Sequence, residues 1–190
     1  MNFKSTILIF ILVVFNTTIA LSQDNSASHK INIEIPEVAL LGLVSNGSTN
    51  INFHSASPVE AGNSIDFSNA KQTKNLWINY SSIIRDNNHR RKIVAFIQGK
   101  TPVGIHLKVE ASEAAGSGKG KLGTSSGTVS LSDQPSEIIT DIGSCYTGKG
   151  TSNGHYLTYK LEYDDSADNY AQLALSETSF NVVYTLTDLN

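Results

Sequence analysis

Cysteine is almost missing from this sequence: Cys145 is the only one in 190 residues. A single thiol excludes an internal disulfide framework, so a chain of this size must draw its stability from its core. Cys145 reads as a free, half-buried thiol packed as a small hydrophobe. The alternative that an odd cysteine raises is an intermolecular disulfide. Charge is scarce too. Asp, Glu, Lys and Arg make up 16% of the residues and the net charge is −3. Without a basic surplus, neither nucleic acid nor an anionic membrane surface is an expected partner. Long apolar runs are lacking beyond one near the N-terminus. That run, Ile7 to Phe15, covers about half of a ~30 Å hydrocarbon layer at helical rise, so no integral membrane segment is expected. No stretch sustains a helical stripe.

What stands at the N-terminus has the organisation of an export signal. Lys4 precedes the apolar run, and Ala20-Leu21-Ser22 places small residues before Gln23. The sequence therefore predicts a signal peptide over residues 1–22, a disordered polar leader over 23–30 and a single domain over 31–190. The mature chain is expected in the periplasm, at the cell surface or outside the cell.

Catalytic and cofactor motifs are also missing. Gly118, Gly120 and Gly123 fit a dinucleotide fingerprint in spacing, but no helix opens from them to meet a pyrophosphate. Gly143 to Lys149 nearly forms a phosphate loop, yet Gly150 replaces the Ser or Thr that binds magnesium. His29, His54, His89, His106 and His155 show no zinc-type local pairing. The Asp164, Asp165, Asp168 and Asn169 loop is oxygen-rich without the spacing of a calcium loop, and reads first as a solvated turn. No serine elbow is present. The expectation is a non-catalytic protein without a cofactor or metal, an extracellular hydrolase being the least favoured alternative.

Period-two alternation is what the chain has in abundance. It marks Ile31-Ile33-Ile35 before Pro36, then Ile51-Phe53, Leu76-Ile78-Tyr80, Ile105-Leu107-Val109, Leu157-Tyr159-Leu161-Tyr163 and Phe180-Val182-Tyr184-Leu186. Ile93 to Ile97 is a continuous apolar run, as in a strand buried on both faces. Val129-Leu131 and Ile138-Ile139-Ile142 are shorter candidates. Asp86 to His89 reads as a hairpin loop, Gly116 to Gly127 as a flexible surface loop, and Asn46-Gly47 and Asn153-Gly154 as tight turns. The fold class predicted is all-β: an antiparallel, immunoglobulin-like β-sandwich of about 8–10 strands.

Two sets of residues are candidates for function. Ile31, Ile33 and Ile35 put three β-branched side chains on one face of a short strand, followed by Pro36. Such a strand is either the ordinary first strand of the domain or one that adds to an open edge on a neighbour. Trp77 alternates away from Leu76 and Ile78, so it is a candidate for stacking a surface glycan, together with Tyr80; the competing reading puts Trp77 in the core. Asn46-Gly47-Ser48 and Asn79-Tyr80-Ser81 match the glycosylation sequon as patterns.

The N-terminal stretch Asn32-Ile33-Glu34-Ile35-Pro36 is similar to the leading strand of bacterial fimbrial (pilin-like) subunits. Phe180-Asn181-Val182-Val183-Tyr184-Thr185-Leu186-Thr187 resembles their closing strand. The segment from Ile142 to Gly148 is similar to exported β-sandwich proteins of Gram-negative bacteria. The paired cysteines of many fimbrial subunits are absent here. The resemblance implies an exported, adhesive or structural surface subunit that assembles with its own kind by strand addition. A secreted carbohydrate-binding module is the alternative.

Overall fold

The computed structural model describes residues 26–67, 71–72, 76–164, 166–173 and 178–189. The signal expected over 1–22 lies outside the described residues. The chain divides into two units, residues 1–35 and 36–190. The described part of the first, from Ser26 to Ile35, has no regular secondary structure and is exposed throughout.

The second unit is nearly all β and antiparallel. Its strands are β1 (Val38–Ser45), β2 (Lys71–Gln72), β3 (Leu76–Ile83), β4 (Arg91–Gln98), β5 (Ile105–Ala111), β6 (Lys119–Ser125), β7 (Thr128–Leu131), β8 (Ser136–Tyr146), β9 (His155–Tyr163) and β10 (Asn181–Asp188). One short helix, α1 (Ala167–Ala171), precedes β10. The hydrogen-bonded order is β10-β4-β8-β3-β9-β5-β7, with β1 on β3, β2 on β9 and β6 on β8.

Alternation builds the core. In β3 every second residue is buried, Leu76, Ile78, Tyr80 and Ser82, and in β5 the same holds for Ile105, Leu107, Val109 and Ala111. Ile93, Ala95 and Ile97 of β4 join them, while Val94 is buried and Phe96 half-buried on the other face. The hydroxyls of Tyr159 on β9 and Tyr184 on β10 bond to each other although their strands are four positions apart in the sheet order, so the sheet curls back over its own face.

Four expectations from the sequence need correction. Ile51 and Phe53, expected on a strand, lie in a stretch without regular secondary structure, their side chains packed against the core. The glycine-rich stretch 116–127 contains β6, paired along β8 from Lys119↔Tyr146 to Ser125↔Ile139. Its glycines are there for close approach. A Cβ on Gly120, at φ +90°, meets the Ser144 carbonyl at 2.2 Å, and one on Gly123, at φ +82°, meets Ile142 at 2.6 Å. Ile138, Ile139 and Ile142 belong to one eleven-residue strand, β8, whose bulges against β4 disrupt the alternation. Residues 86–89 are not a hairpin. β3 and β4 lie one after the other along the side of β8 that β6 leaves free, with Ser82 opposite Cys145 and Arg91 opposite Ile142. The loop between them is held by Asp86, whose carboxylate accepts the Asn88 amide at 2.9 Å and pairs with His89 at 2.7 Å.

Arg91 locks this junction. It is 4% exposed and donates to Asp188 at 3.1 Å, to Glu37, to Ser82 at 3.1 Å and to the carbonyls of Val38 and Ile83. A buried guanidinium satisfied this fully joins the start of β1, the end of β3 and the end of β10 at one point.

Candidate functional site

Ile31, Ile33 and Ile35 are not paired into a strand, so they do not form the ordinary first strand of the domain; that place is taken by β1. Their side chains are 71%, 83% and 74% exposed. Leaving one such side chain in water forgoes roughly 1.5–3 kcal/mol of burial. Scattered apolar residues on a surface are ordinary, but three in alternation on one short segment make a one-sided apolar stripe once that segment extends as a strand.

Among the described residues of the second unit, β1 is an edge strand, hydrogen-bonded on one side to β3 from Val38↔Ile83 to Ser45↔Leu76. Residues directly opposite share a face. Leu41 lies beside Tyr80 and Leu43 beside Ile78 on the core side, while Leu40, Gly42 and Val44 lie beside Ser81, Asn79 and Trp77 on the outer side. Leu41 packs on the core, but Leu43 remains 39% exposed and Leu40 64%. Leu40, Gly42 and Val44 floor a groove of about 350 Å³ walled by Asn79 and Lys149. The space above Gly42 is open, since a Cβ there meets nothing within 4 Å.

The wall is built by the sequence Thr147-Gly148-Lys149-Gly150. Thr147 is fully buried and extends the pairing of β3 past the end of β8: its amide donates to the Tyr80 carbonyl and its hydroxyl accepts the Tyr80 amide, both at 3.0 Å. Asn79 Nδ2 then donates to the carbonyls of Gly148 at 2.7 Å and Gly150 at 3.1 Å. The resemblance of this stretch to a phosphate loop is thus a matter of spacing alone, for its carbonyls are turned onto Asn79 and it precedes a strand. The same bonds occupy the amide of the Asn79 sequon, whereas Asn46 lies in an exposed bend after β1.

The two aromatic candidates part company. Trp77 faces outward, half-buried, with its ring edge-on to Tyr156 at 5.3 Å between centroids. Tyr80 is 3% exposed and presents no ring to a ligand, which removes it from the stacking pair. Its hydroxyl bonds to His155 Nε2 at 2.8 Å and to the carbonyl of Leu122 on β6, and the two rings stack at 5.7 Å. His155 is fully buried, with Nδ1 at 2.7 Å from the Ser112 carbonyl. Burial lowers its affinity for a proton, against the smaller opposing pull of the Ser112 and Leu122 carbonyls, and burial likewise raises the Tyr80 phenol well above its ordinary value. No substrate reaches a pair so enclosed; it fastens β9, β3 and β6 together. Cys145, beside it, is a buried free thiol pushed up to about 11 by burial.

Among the described residues no three His, Cys, Asp or Glu side chains converge on a metal-sized site. In the acidic loop Asp164 accepts the Ser166 amide at 3.2 Å and the Asn169 side chain at 3.0 Å, and Asp165 lies outside the described residues. Among the described residues no helix is long and apolar enough to cross a membrane. No protein-family model matches the chain, and no curated protein or solved structure matches it.

Sequence reasoning marked the three alternating isoleucines, and it left Trp77 open between an outward and a core position. It missed β1, Gly42, Asn79 and Lys149. The signal for β1 was the uncharged run Val38 to Val44 between Glu37 and Asn46-Gly47, which has the length and bounds of a strand but no polar alternation.

Proposed function

We propose that this chain is an exported, non-catalytic surface subunit, built on an immunoglobulin-like sandwich, that assembles with its own kind by strand addition. The observation that carries the reading is the unpaired stripe of Ile31, Ile33 and Ile35. Three isoleucines that are exposed in the isolated chain gain on the order of 5–9 kcal/mol when buried together. Association costs roughly 4–15 kcal/mol in lost freedom, so the stripe needs the main-chain hydrogen bonds of an added strand as well. Residues 1–22 serve in this reading as the export signal, and secreted material starts at Gln23. Sedimentation of the full chain over a range of concentrations tests the assembly. The expected result is a concentration-dependent series of oligomers that Ile33→Asp reduces to monomer; a wild-type monomer at every concentration overturns the reading.

A second reading, a carbohydrate-binding surface, is favoured by the outward Trp77 and Tyr156 pair. Rings of this kind stack on sugar faces. Retardation on a polysaccharide resin that is abolished by Trp77→Ala supports it, and equal elution of both proteins contradicts it.

A further inference from the structure

We infer that the acceptor for the isoleucine stripe is the free edge of β1 on a second copy of the chain, with the three isoleucines on the core side of that strand. The inference rests on the proposed assembly and says where it takes place. The edge strands of the sheet differ in what they offer a newcomer. β6 carries Lys119 and Lys121, β7 has only four residues with Thr128 and Ser130 in alternation, and β10 is alternately polar at Asn181, Thr185 and Thr187, with its terminal Asp188 paired to Arg91. Charges and short strands are the devices that keep an edge from pairing. β1 has neither: it is eight residues long, uncharged, and apolar or glycine at every position but Ser45. The core-side residues of β10, Val182, Tyr184 and Leu186, are half-buried against the core, whereas on β1 the core-side Ala39 and Leu43 are exposed.

The dimensions agree. Ile31 to Ile35 repeats every second residue, as do Ala39, Leu41 and Leu43 on the core side of β1, and both series span about 13 Å of strand. A strand laid along β1 with its isoleucines on that side extends the apolar layer over Leu43. The same placement turns Asn32 and Glu34 to the outer side, where the groove is open above Gly42 and Lys149 stands at its wall. Glu34 and Lys149 are of opposite charge, so a strand added there carries its one acid toward the one cation that lines the groove.

Disulfide trapping between full-length chains tests the placement. Ile31→Cys and Ile35→Cys chains are each mixed with Ala39→Cys and Leu43→Cys chains; all four positions are exposed, and the native Cys145 is buried. An antiparallel addition links 31 to 43 and 35 to 39, and a parallel one links 31 to 39 and 35 to 43. Lys121→Cys on β6, Ser130→Cys on β7 and Thr185→Cys on β10 report the other edges. The expected result is at least tenfold more covalent dimer with the β1 positions than with these. In the unmutated chain, a zero-length carbodiimide is expected to join Glu34 of one copy to Lys149 of another in an isotopically mixed sample. Trapping at another edge, or oligomers without either cross-link, overturns the β1 placement while the assembly reading stands. A monomer throughout overturns both.

Discussion

β1 and β6 are both outer strands of one curled sheet, and they are treated in opposite ways. β6 is written in glycine and lysine. Gly120 and Gly123 let it press against β8, Lys121 pairs with Asp141 at 2.7 Å, and the Leu122 carbonyl receives the hydroxyl of Tyr80 from the core. Its edge is charged and its inner side is committed. β1 is written in leucine, valine and alanine, makes its ladder with β3, and leaves Leu40 and Leu43 in water. The difference teaches that burial and edge protection are set separately along a strand. A strand weakened by glycine is held by the close packing beside it, and an apolar strand that packs on its inner neighbour is left with an uncharged outer edge.

The largest effect is expected where β6 meets β8. Gly120→Val places a branched side chain at positive φ and against the Ser144 carbonyl, which should cost about 3 kcal/mol or more in a denaturant titration. Acid comes next. Because burial depresses the proton affinity of His155, the folded chain binds fewer protons than the unfolded one below the ordinary histidine value of 6.5. This contribution to stability is fully present above that pH and falls as pH drops below it, with a slope of up to about 1.4 kcal/mol per pH unit. The loss should appear in melting curves between pH 7 and 5 and be flattened in His155→Gln.

Cys145→Ser puts a hydroxyl under Gly120, its partner on β6, and is expected to cost roughly 1–2 kcal/mol without changing assembly. Changes on β1 should scarcely move stability. Leu43→Lys gives β1 the charge that β6 already has, altering stability by about 0.5 kcal/mol or less while weakening self-association at least tenfold in sedimentation. Gly42→Ala, which has open space around it, should fall within about 0.5 kcal/mol of wild type.

Much of the fold is visible in the residues themselves. β3, β5 and most of β9 alternate cleanly because one face of each is buried and the other is not, while β10 is half-buried at its apolar positions. β8 hides because its bulge against β4 sets Ile138 beside Ile139 on the buried side, and a second irregularity against β6 between Ile142 and Cys145 splits one strand into apparent fragments. β6 hides because glycine lowers strand propensity while serving close packing, and packing partners are not local information. At the candidate site, the parity that turned Trp77 away from Ile78 also set Tyr80 with Ile78, so the burial of Tyr80 was implied by the pattern. That the Ile31 stripe is unpaired was not implied, since alternation records that a face is apolar and says nothing of what covers it. The groove wall at Asn79 and Lys149 joins residues about seventy positions apart.

Amide hydrogen exchange on the full chain at low and high protein concentration compares the two edges directly. Protection across β1, Val38–Ser45, should rise with concentration, while β6, Lys119–Ser125, keeps the same protection at both. Equal behaviour of the two strands, either unchanged or rising together, would contradict the claim that β1 is the edge left open for assembly.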